Sequence, residues 1–444
     1  MKMARRENST VWRKIAALAM AVAVGAAPVN QAHADTYTDA NGVEWKFFIG
    51  TATPAADEGS IGVSLCGDES ATTTCISKDA VVDAADIPWT FEKDGVNYTV
   101  THVCGNAFNG CTGLTGILAI PTTVKKIGWT TTGAAKNNPF ASTGLTGISS
   151  FGGLTSNTCQ GLFKGSTGLA GKLVIPDTFS VAFDNYAFHG CSSLTAIVVG
   201  SGVTGTGRYF GSNATSLKGV WVKGRPTTSS ASQPTTTVRQ PHMFQSSTKL
   251  KVVLFGEHTS LDQNNSPGNA MFDSVEGCTV FVPNKGKWDE CNYGGTDTKV
   301  ITYGANTNLD IAVDEVNNAI TFTPTDETAL LNVLDAAPHF KDAFGWNAKI
   351  NITNTIEVAA GVITSEKLNA VEFNTLLLTF AVKTQAQLND ILNKFPASTY
   401  SMLAIDPTGL TETLTVPAGR NVYVKLSEGL QVKKHVDGFI IIFQ

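Results

Sequence analysis

The apolar positions of this 444-residue chain fall into a recurring pattern. Cys104-Gly-Asn-Ala-Phe108-Asn-Gly-Cys111-Thr-Gly-Leu114 matches Cys159-Gln-Gly-Leu-Phe163-Lys-Gly-Ser166-Thr-Gly-Leu169 without a gap, and Asn185-Tyr-Ala-Phe188-His-Gly-Cys191-Ser-Ser-Leu194 repeats it. Weaker copies follow at Phe140/Leu145, Phe210/Leu217, Phe244/Leu250 and Phe272/Cys278, so the seven phenylalanines lie 32, 23, 25, 22, 34 and 28 residues apart. After each leucine comes a short apolar stretch, such as Ile117-x-x-Ile120-Pro121, Leu173-x-Ile175-Pro176, Ile197-x-Val199, Val220-x-Val222, Val253-x-Phe255 and Val280-x-Val282-Pro283. Alternation puts these side chains on one face, which predicts one strand per repeat, stacked in parallel, with each phenylalanine inside.

No single repeat of this size buries its own apolar face, so stability is shared between neighbours and the ends need caps. The spacing lies around that of leucine-rich repeats, and the predicted fold class is a β-rich leucine-rich-repeat solenoid over residues 90–303. The pattern A-F-x-G-C-x-x-L-x-x-I, then I-P and a step such as Val124-Lys-Lys-Ile127-Gly128, resembles the BspA-like (Treponema pallidum type) leucine-rich repeats of bacterial surface proteins. The segment from Phe91 to Val103 is similar to that family's lead-in strand pair, and Val280 to Trp288 to its closing segment. The resemblance implies a surface-exposed protein that adheres to host matrix or to other cells.

A second periodicity fills residues 304–444. A shift of 58 aligns Thr321-Phe322 with Thr379-Phe380, Leu330 with Leu388, Pro338 with Pro396, and Ile356-x-Val358 with Leu414-x-Val416. Leu330, Val333, Leu334 and Ala337, like Leu388, Ile391, Leu392 and Phe395, follow the i, i+3, i+4, i+7 stripe of a half-buried helix. Asp326 and Thr384 are the expected N-caps, Thr384 with Gln387 as a capping box, and Pro338 and Pro396 the expected stops. These residues predict an α+β domain of two tandem repeats of about 58 residues. Residues 35–89 are expected to form a small N-terminal β cap, opened by a hairpin at Asn41-Gly42.

Residues 1–34 have the features of a bacterial export signal: Lys2, Arg5, Arg6, Arg13 and Lys14, an apolar run from Ile15 to Ala27, and the cleavage site Ala32-His33-Ala34. The mature chain is expected to begin at Asp35, secreted or on the cell surface. No second apolar stretch is long enough to span a membrane, and no anchor is seen. Without the leader 27 basic groups face 36 acidic ones, a net charge of −9 that argues against nucleic acid. All eight cysteines lie in the exported part, where disulfides persist. Cys66 and Cys75, and Cys278 and Cys291, bracket polar loops and are the expected local staples.

Motifs of chemistry are weak by comparison. Gly200-Ser-Gly202-Val-Thr-Gly205 follows a strand but precedes no helix, which makes it a turn and not a dinucleotide site. Gly165 to Lys172 has the wrong spacing for a phosphate loop, and Asp39-x-Asn41-Gly42 lacks the carboxylates of a calcium loop. His102, His189, His242, His258, His339 and His435 show no metal-ligand spacing. Cys111 and Cys191 share a repeat position with Ser166, which points to packing. Trp129, Trp221 and Trp288 are candidates for sugar stacking, although a core role is favoured. No cofactor or metal is expected.

The expected function is therefore non-catalytic: adhesin-like binding of a host matrix protein, a glycan or a neighbouring cell surface, with a fragment of residues 90–303 sufficient for it. The alternative is an extracellular polysaccharide-acting enzyme with a site in the C-terminal domain. That reading needs two carboxylates on one cleft, and Glu357 and Glu372 are candidates, although Thr415 replaces Glu357 in the second copy.

Overall fold

The computed structural model describes residues 33–441 apart from 50–58, 131–136, 156–158, 226–235, 240, 263–269, 286, 354–355, 360–361, 364–366, 368–369, 376–377, 396–402, 407, 413, 418–421, 427–428 and 432–439. The expected leader lies outside these residues except for His33 and Ala34, which open the first strand, His33–Thr38. Pro396 and His435 also lie outside them. The chain is β-rich, and its longer helices among the described residues are α1 (Glu327–Phe344) and α2 (Gln385–Lys394).

Six strands pair in parallel, each with the next: Gly171–Ile175, Leu194–Val199, Gly219–Gly224, Val252–Leu261, Thr279–Pro283 and Lys299–Tyr303. Ahead of them Ile117–Ile120 pairs in parallel with Gly147–Phe151, and Val82–Asp83 with Leu114–Thr115. Period-two alternation sends Leu173, Ile197, Val220, Val253 and Val280 inward, to one continuous apolar cluster that runs from Trp45 to Trp288.

Phe108, Phe140, Phe163, Phe188, Phe210, Phe244 and Phe272 are all fully buried in that cluster. Ring centroids lie 5.1 Å apart from Phe108 to Phe140, then 5.6 Å to Phe163 and 5.7 Å to Phe188, stacked nearly parallel at each step. Each such ring contributes about 1.5–3 kcal/mol by leaving water. The backbone around the rings is tied as regularly: the amide of Phe140 donates to Leu162, that of Phe163 to Ala187 and that of Phe244 to Met271, one coil to the next. Three residues on, a buried side chain adds a second tie. Ser166 Oγ donates to the Phe140 carbonyl at 2.9 Å, Cys191 Sγ to Phe163 at 3.1 Å and Ser247 Oγ to Gly211 at 2.7 Å.

The last contact exposes a slip that the sequence pattern hides. The Phe188 amide donates to Phe210, and Gly211, not Phe210, passes its own amide on to Met243. Phe210 thus sits one residue early, and Gly211 holds the ring position without a side chain. A Cβ there would lie 3.3 Å from the Phe244 ring, so glycine leaves the room that Phe244 fills.

The stack begins earlier than residue 90. Cys75 donates its amide to Ala107, which puts it in the ring position of a coil before Phe108. Strand Ile61–Leu65 pairs in parallel with Val96–Cys104, Leu65 opposite Val103, so the next residue, Cys66, stands beside Cys104. These two form the disulfide, Cα atoms 5.2 Å apart. The expected Cys66–Cys75 staple is corrected: β register brings Cys104 to Cys66, while Cys75 turns into the core. Cys278 and Cys291 are not joined either; Cys278 is fully buried and Cys291 half-buried. The hairpin around Asn41-Gly42 does form, with Thr38 opposite Glu44, and its Trp45 meets Phe108 edge-on as a lid over the first coil.

In the C-terminal third, Ala319–Pro324 crosses through α1 to its parallel partner Asn347–Asn351, and Leu378–Ala381 crosses through α2 to Leu403–Asp406. The N-caps are Asp326, which accepts from Ala329, and Thr384 with the full Gln387 capping box. Pro338 does not stop its helix, contrary to expectation. Its ring lies on the exposed side of α1, and the buried Phe340, Ala343 and Phe344 beyond it offset the roughly 3 kcal/mol of an interior proline. Gly345, left-handed at φ 75°, ends α1 instead.

Peptide mapping of the oxidised chain is expected to recover Cys66 linked to Cys104, with Cys75 as a free thiol. Cys66→Ser should lower unfolding free energy by about 2–4 kcal/mol, because the 38-residue separation makes the closed loop long. A variant as stable as the parent in denaturant titration would contradict this.

Candidate binding surface

The outward face of the parallel sheet is the first surface to consider, since the inward face is core. Along one outward row stand Val174, Val198, Trp221, Leu254, Phe281 and Ile301, in register across the six strands. All but Val174 are buried, in a second apolar cluster shared with α1 and the residues after it. Trp346 meets Trp221 edge-on at 4.9 Å, and Phe340 lies 5.6 Å from Phe281. Gly219 makes the approach possible: a Cβ there would come within 2.5 Å of the Ala343 Cβ and 2.9 Å of the Phe344 ring. Charges rim the contact, with Lys218 on Asp342 at 2.6 Å, Lys299 on Asp335 at 2.9 Å and Lys223 on Glu315 at 2.7 Å. The sheet from Leu194 to Tyr303 is therefore an internal interface. The cover ends at the neighbouring strand, where Val174 is 46 % exposed.

Away from that sheet the chain turns around the buried rings, and among the described residues the side chains of these turns that flank the rings are mostly half-buried. Two positions per turn have left-handed backbone. Two residues before the ring position these are Asn106, Asn138, Gly161, Tyr186, Tyr209 and His242; two residues after it, they include Gly110, Ser142, Gly165, Gly190, Asn213 and Ser246. Tyr186, Tyr209 and His242 are half-buried and stacked on one another, centroids 4.6 and 5.0 Å apart. Lys164 Nζ lies 5.4 Å from the Tyr186 ring centre, and His242 Nδ1 meets Asp273 at 2.8 Å.

The residues singled out in the sequence for chemistry are dispersed. Glu357 and Glu372 lie on strands of two different sheets, opposite Thr379 and Lys349. Gly200 and Gly202 sit in a turn where a Cβ would strike the backbone of Pro176 and Asp177, and no helix follows. The Asp39 carboxylate is taken up by its own turn, accepting from Asn41, Val43 and the Trp45 indole. Burial pushes the Cys111 thiol up to about 11 and that of Cys191 to about 12, so neither is a thiolate at neutral pH. Trp221 and Trp288 are core residues and Trp129 is half-buried. No group of three or more metal-ligating side chains exists among the described residues.

Two serine–histidine contacts were not anticipated. Ser64 Oγ lies 3.0 Å from His102 Nδ1, fully buried, and Ser212 Oγ lies 2.6 Å from His189 Nδ1. The Tyr209 carbonyl, 3.2 Å from the Ser212 hydroxyl, competes with the imidazole for its single proton, and Ser212 is fully buried. Clefts open at both ends of the stack, about 500 Å³ beside Lys46, Thr73 and Val81 and about 330 Å³ beside Trp288, Tyr293 and Val300.

No protein-family model matches the chain, and no curated protein matches it. Among solved structures it is similar to a leucine-rich repeat protein from Bacteroides ovatus, at 14 % identity and TM-score 0.29 over 84 % of this chain and 88 % of that one. It is also similar to a leucine-rich cell surface protein from Faecalibacterium prausnitzii, at 15 % identity and TM-score 0.26 over 80 % and 97 %. The pneumococcal vaccine antigen PcpA is similar at 12 % identity and TM-score 0.28 over 88 % and 94 %. No helix among the described residues is long and apolar enough to cross a membrane.

Two outcomes follow from this geometry. Burial, with Lys126 adding to it, holds the His102 imidazole down at about 3, against 6.5 in a free histidine. The unfolded chain then takes up a proton below 6.5 that the folded chain refuses until about 3, so stability falls with acid across that window. From pH 7 to pH 5 the loss from this residue is about 2 kcal/mol, and His102→Asn should flatten that part of a urea-unfolding profile. A parent and variant with parallel profiles would contradict it. Gly219→Leu is expected to lift α1 from the sheet, lowering Tm and raising binding of a hydrophobic dye; unchanged values of both would count against the close contact.

Proposed function

We propose that this chain is a secreted or surface-exposed bacterial binding protein of BspA-like leucine-rich-repeat type, a solenoid that recognises protein or glycan outside the cell. The observation that carries this reading is the division of the stack's two sides. Its apolar sheet face is consumed by α1, while its turns carry half-exposed polar side chains, among the described residues, repeated from coil to coil on a rigid aromatic spine. A pre-ordered surface loses little conformational entropy when a partner lands on it. The export signal and the persistence of a disulfide between successive coils fit an extracellular site of action.

A non-catalytic role is part of the proposal, with a polysaccharide-acting enzyme as its rival. The purified chain from Asp35 is expected to retain immobilised matrix proteins, mucin or cell-wall glycans and to show no turnover in a glycan and peptide hydrolysis screen. Turnover that disappears on replacing a single carboxylate, without retention on any surface, would favour the enzyme. Residues 90–303 alone are not the right reagent. Removing α1 bares Val198, Trp221, Leu254 and Phe281, so that fragment is expected to bind hydrophobic dye strongly and to aggregate, as sedimentation would record. A soluble, monomeric fragment with low dye binding would contradict the internal interface.

A further inference from the structure

Six turns place a left-handed residue two positions before the ring position, and in the coils of Phe108, Phe140 and Phe163 it is Asn106, Asn138 or Gly161. Those are the residue types that this backbone tolerates best. The next three coils put Tyr186, Tyr209 and His242 there, at φ 63°, 55° and 53°. Histidine is tolerated in this region, but a tyrosine there is strained, and strain of this kind concentrates where a protein binds or reacts. Folding alone is served by asparagine or glycine, as the earlier coils show. The aromatic residues therefore need another reason.

Their surroundings suggest one. Tyr186 and Tyr209 stack almost parallel, at 7°, so neither ring offers a free face between them, and both side chains are only half-buried. Neither hydroxyl bonds to any group among the described residues. One residue after the ring position, the same turns carry Lys164, His189, Gln245 and Asp273, a parallel row of polar side chains, with Ser212 buried behind His189. Lys164 and Asp273 stand at opposite ends with opposite sign, Arg208 and Asp273 act on the Tyr209 phenol in opposite directions, and burial keeps the His189 imidazole uncharged at neutral pH. The phenol groups and the Gln245 amide donate and accept alike, and with Nδ1 of His189 and of His242 held by Ser212 and Asp273 each imidazole has one nitrogen left, a set that suits a ligand dense in hydroxyl groups. Rings locked by their neighbours lose little freedom on contact.

We propose that the strip formed by Tyr186, Tyr209 and His242 with His189 and Gln245 binds an extended neutral glycan lying along the stack, its successive sugars meeting successive coils. This rests on the binding function proposed above and names its ligand class and site. The hydrogen bonds come from the two phenol groups and the polar row, and the spacing of the rungs selects a chain over a free monosaccharide.

Affinity electrophoresis of the chain from Asp35 through gels cast with hydroxyethylcellulose, arabinoxylan, galactomannan or yeast mannan tests it, with polygalacturonate as the acidic comparison. At least one neutral gel should retard the parent, and polygalacturonate should not. The pair Tyr186→Asn and Tyr209→Asn copies the earlier coils, so its Tm should be unchanged or higher while affinity falls about tenfold. Equal retardation of this variant overturns the site. Should it unfold, Tyr186→Phe with Tyr209→Phe keeps the rings and removes the hydroxyls; weakened retardation at unchanged Tm upholds the strip, and full retardation overturns it. Retardation of the parent by polygalacturonate alone, or by no gel, overturns the neutral-glycan site. Capture by immobilised matrix protein or mucin in that case leaves the wider function standing, and failure there removes both.

Discussion

The structure depends on contact between successive coils. A single turn of this chain encloses too little apolar surface to hold itself, and order comes from stacking one ring on the next, with the neighbouring amides and buried hydroxyl or thiol groups bonded coil to coil. Everything else follows from the need to end such a stack and to cover its sheet. Trp45 covers Phe108 at one end, Trp288 lies 4.4 Å from Phe255 near the other, and the Cys66–Cys104 bond fastens the first coil to the second. The sheet's outer face is itself apolar, because Val198, Trp221, Leu254 and Phe281 alternate with the core residues, and α1 exists to bury it.

Much of this was legible in the sequence. The Phe-to-Leu spacing located the buried rings because a ring must recur once per coil, and the i, i+3, i+4, i+7 stripes located both helices. What escaped was relational. The Phe210 slip leaves the sequence motif intact and shows only in which amide faces which carbonyl. Pro338 reads as a stop because local chemistry says so, and tertiary burial of Phe340 and Phe344 overrode it. The disulfide did leave a trace, since Cys66-Gly-Asp and Cys104-Gly-Asn are copies one coil apart; proximity along the chain drew attention to Cys75 instead.

The surface available for recognition was the least legible part. Apolar residues at outward strand positions look alike whether they await a partner or already have one, and only the contact of Ala343 and Phe344 with Gly219 decides it. The aromatic rungs were hidden for a different reason. Tyr186, Tyr209 and His242 are unremarkable as letters, and become significant once the backbone at each is seen to be left-handed and the three are seen to stand in one line.

The division between a covered sheet and half-exposed turns is the claim on which the functional reading stands. Hydroxyl-radical footprinting of the whole chain from Asp35, read residue by residue by mass spectrometry, tests it without any ligand. The account predicts slow oxidation of Trp221, Trp346 and Phe281 and rapid oxidation of Tyr186 and Tyr209. Trp221 and Trp346 labelled as fast as the tyrosines would contradict it, for α1 would then not be seated on the sheet.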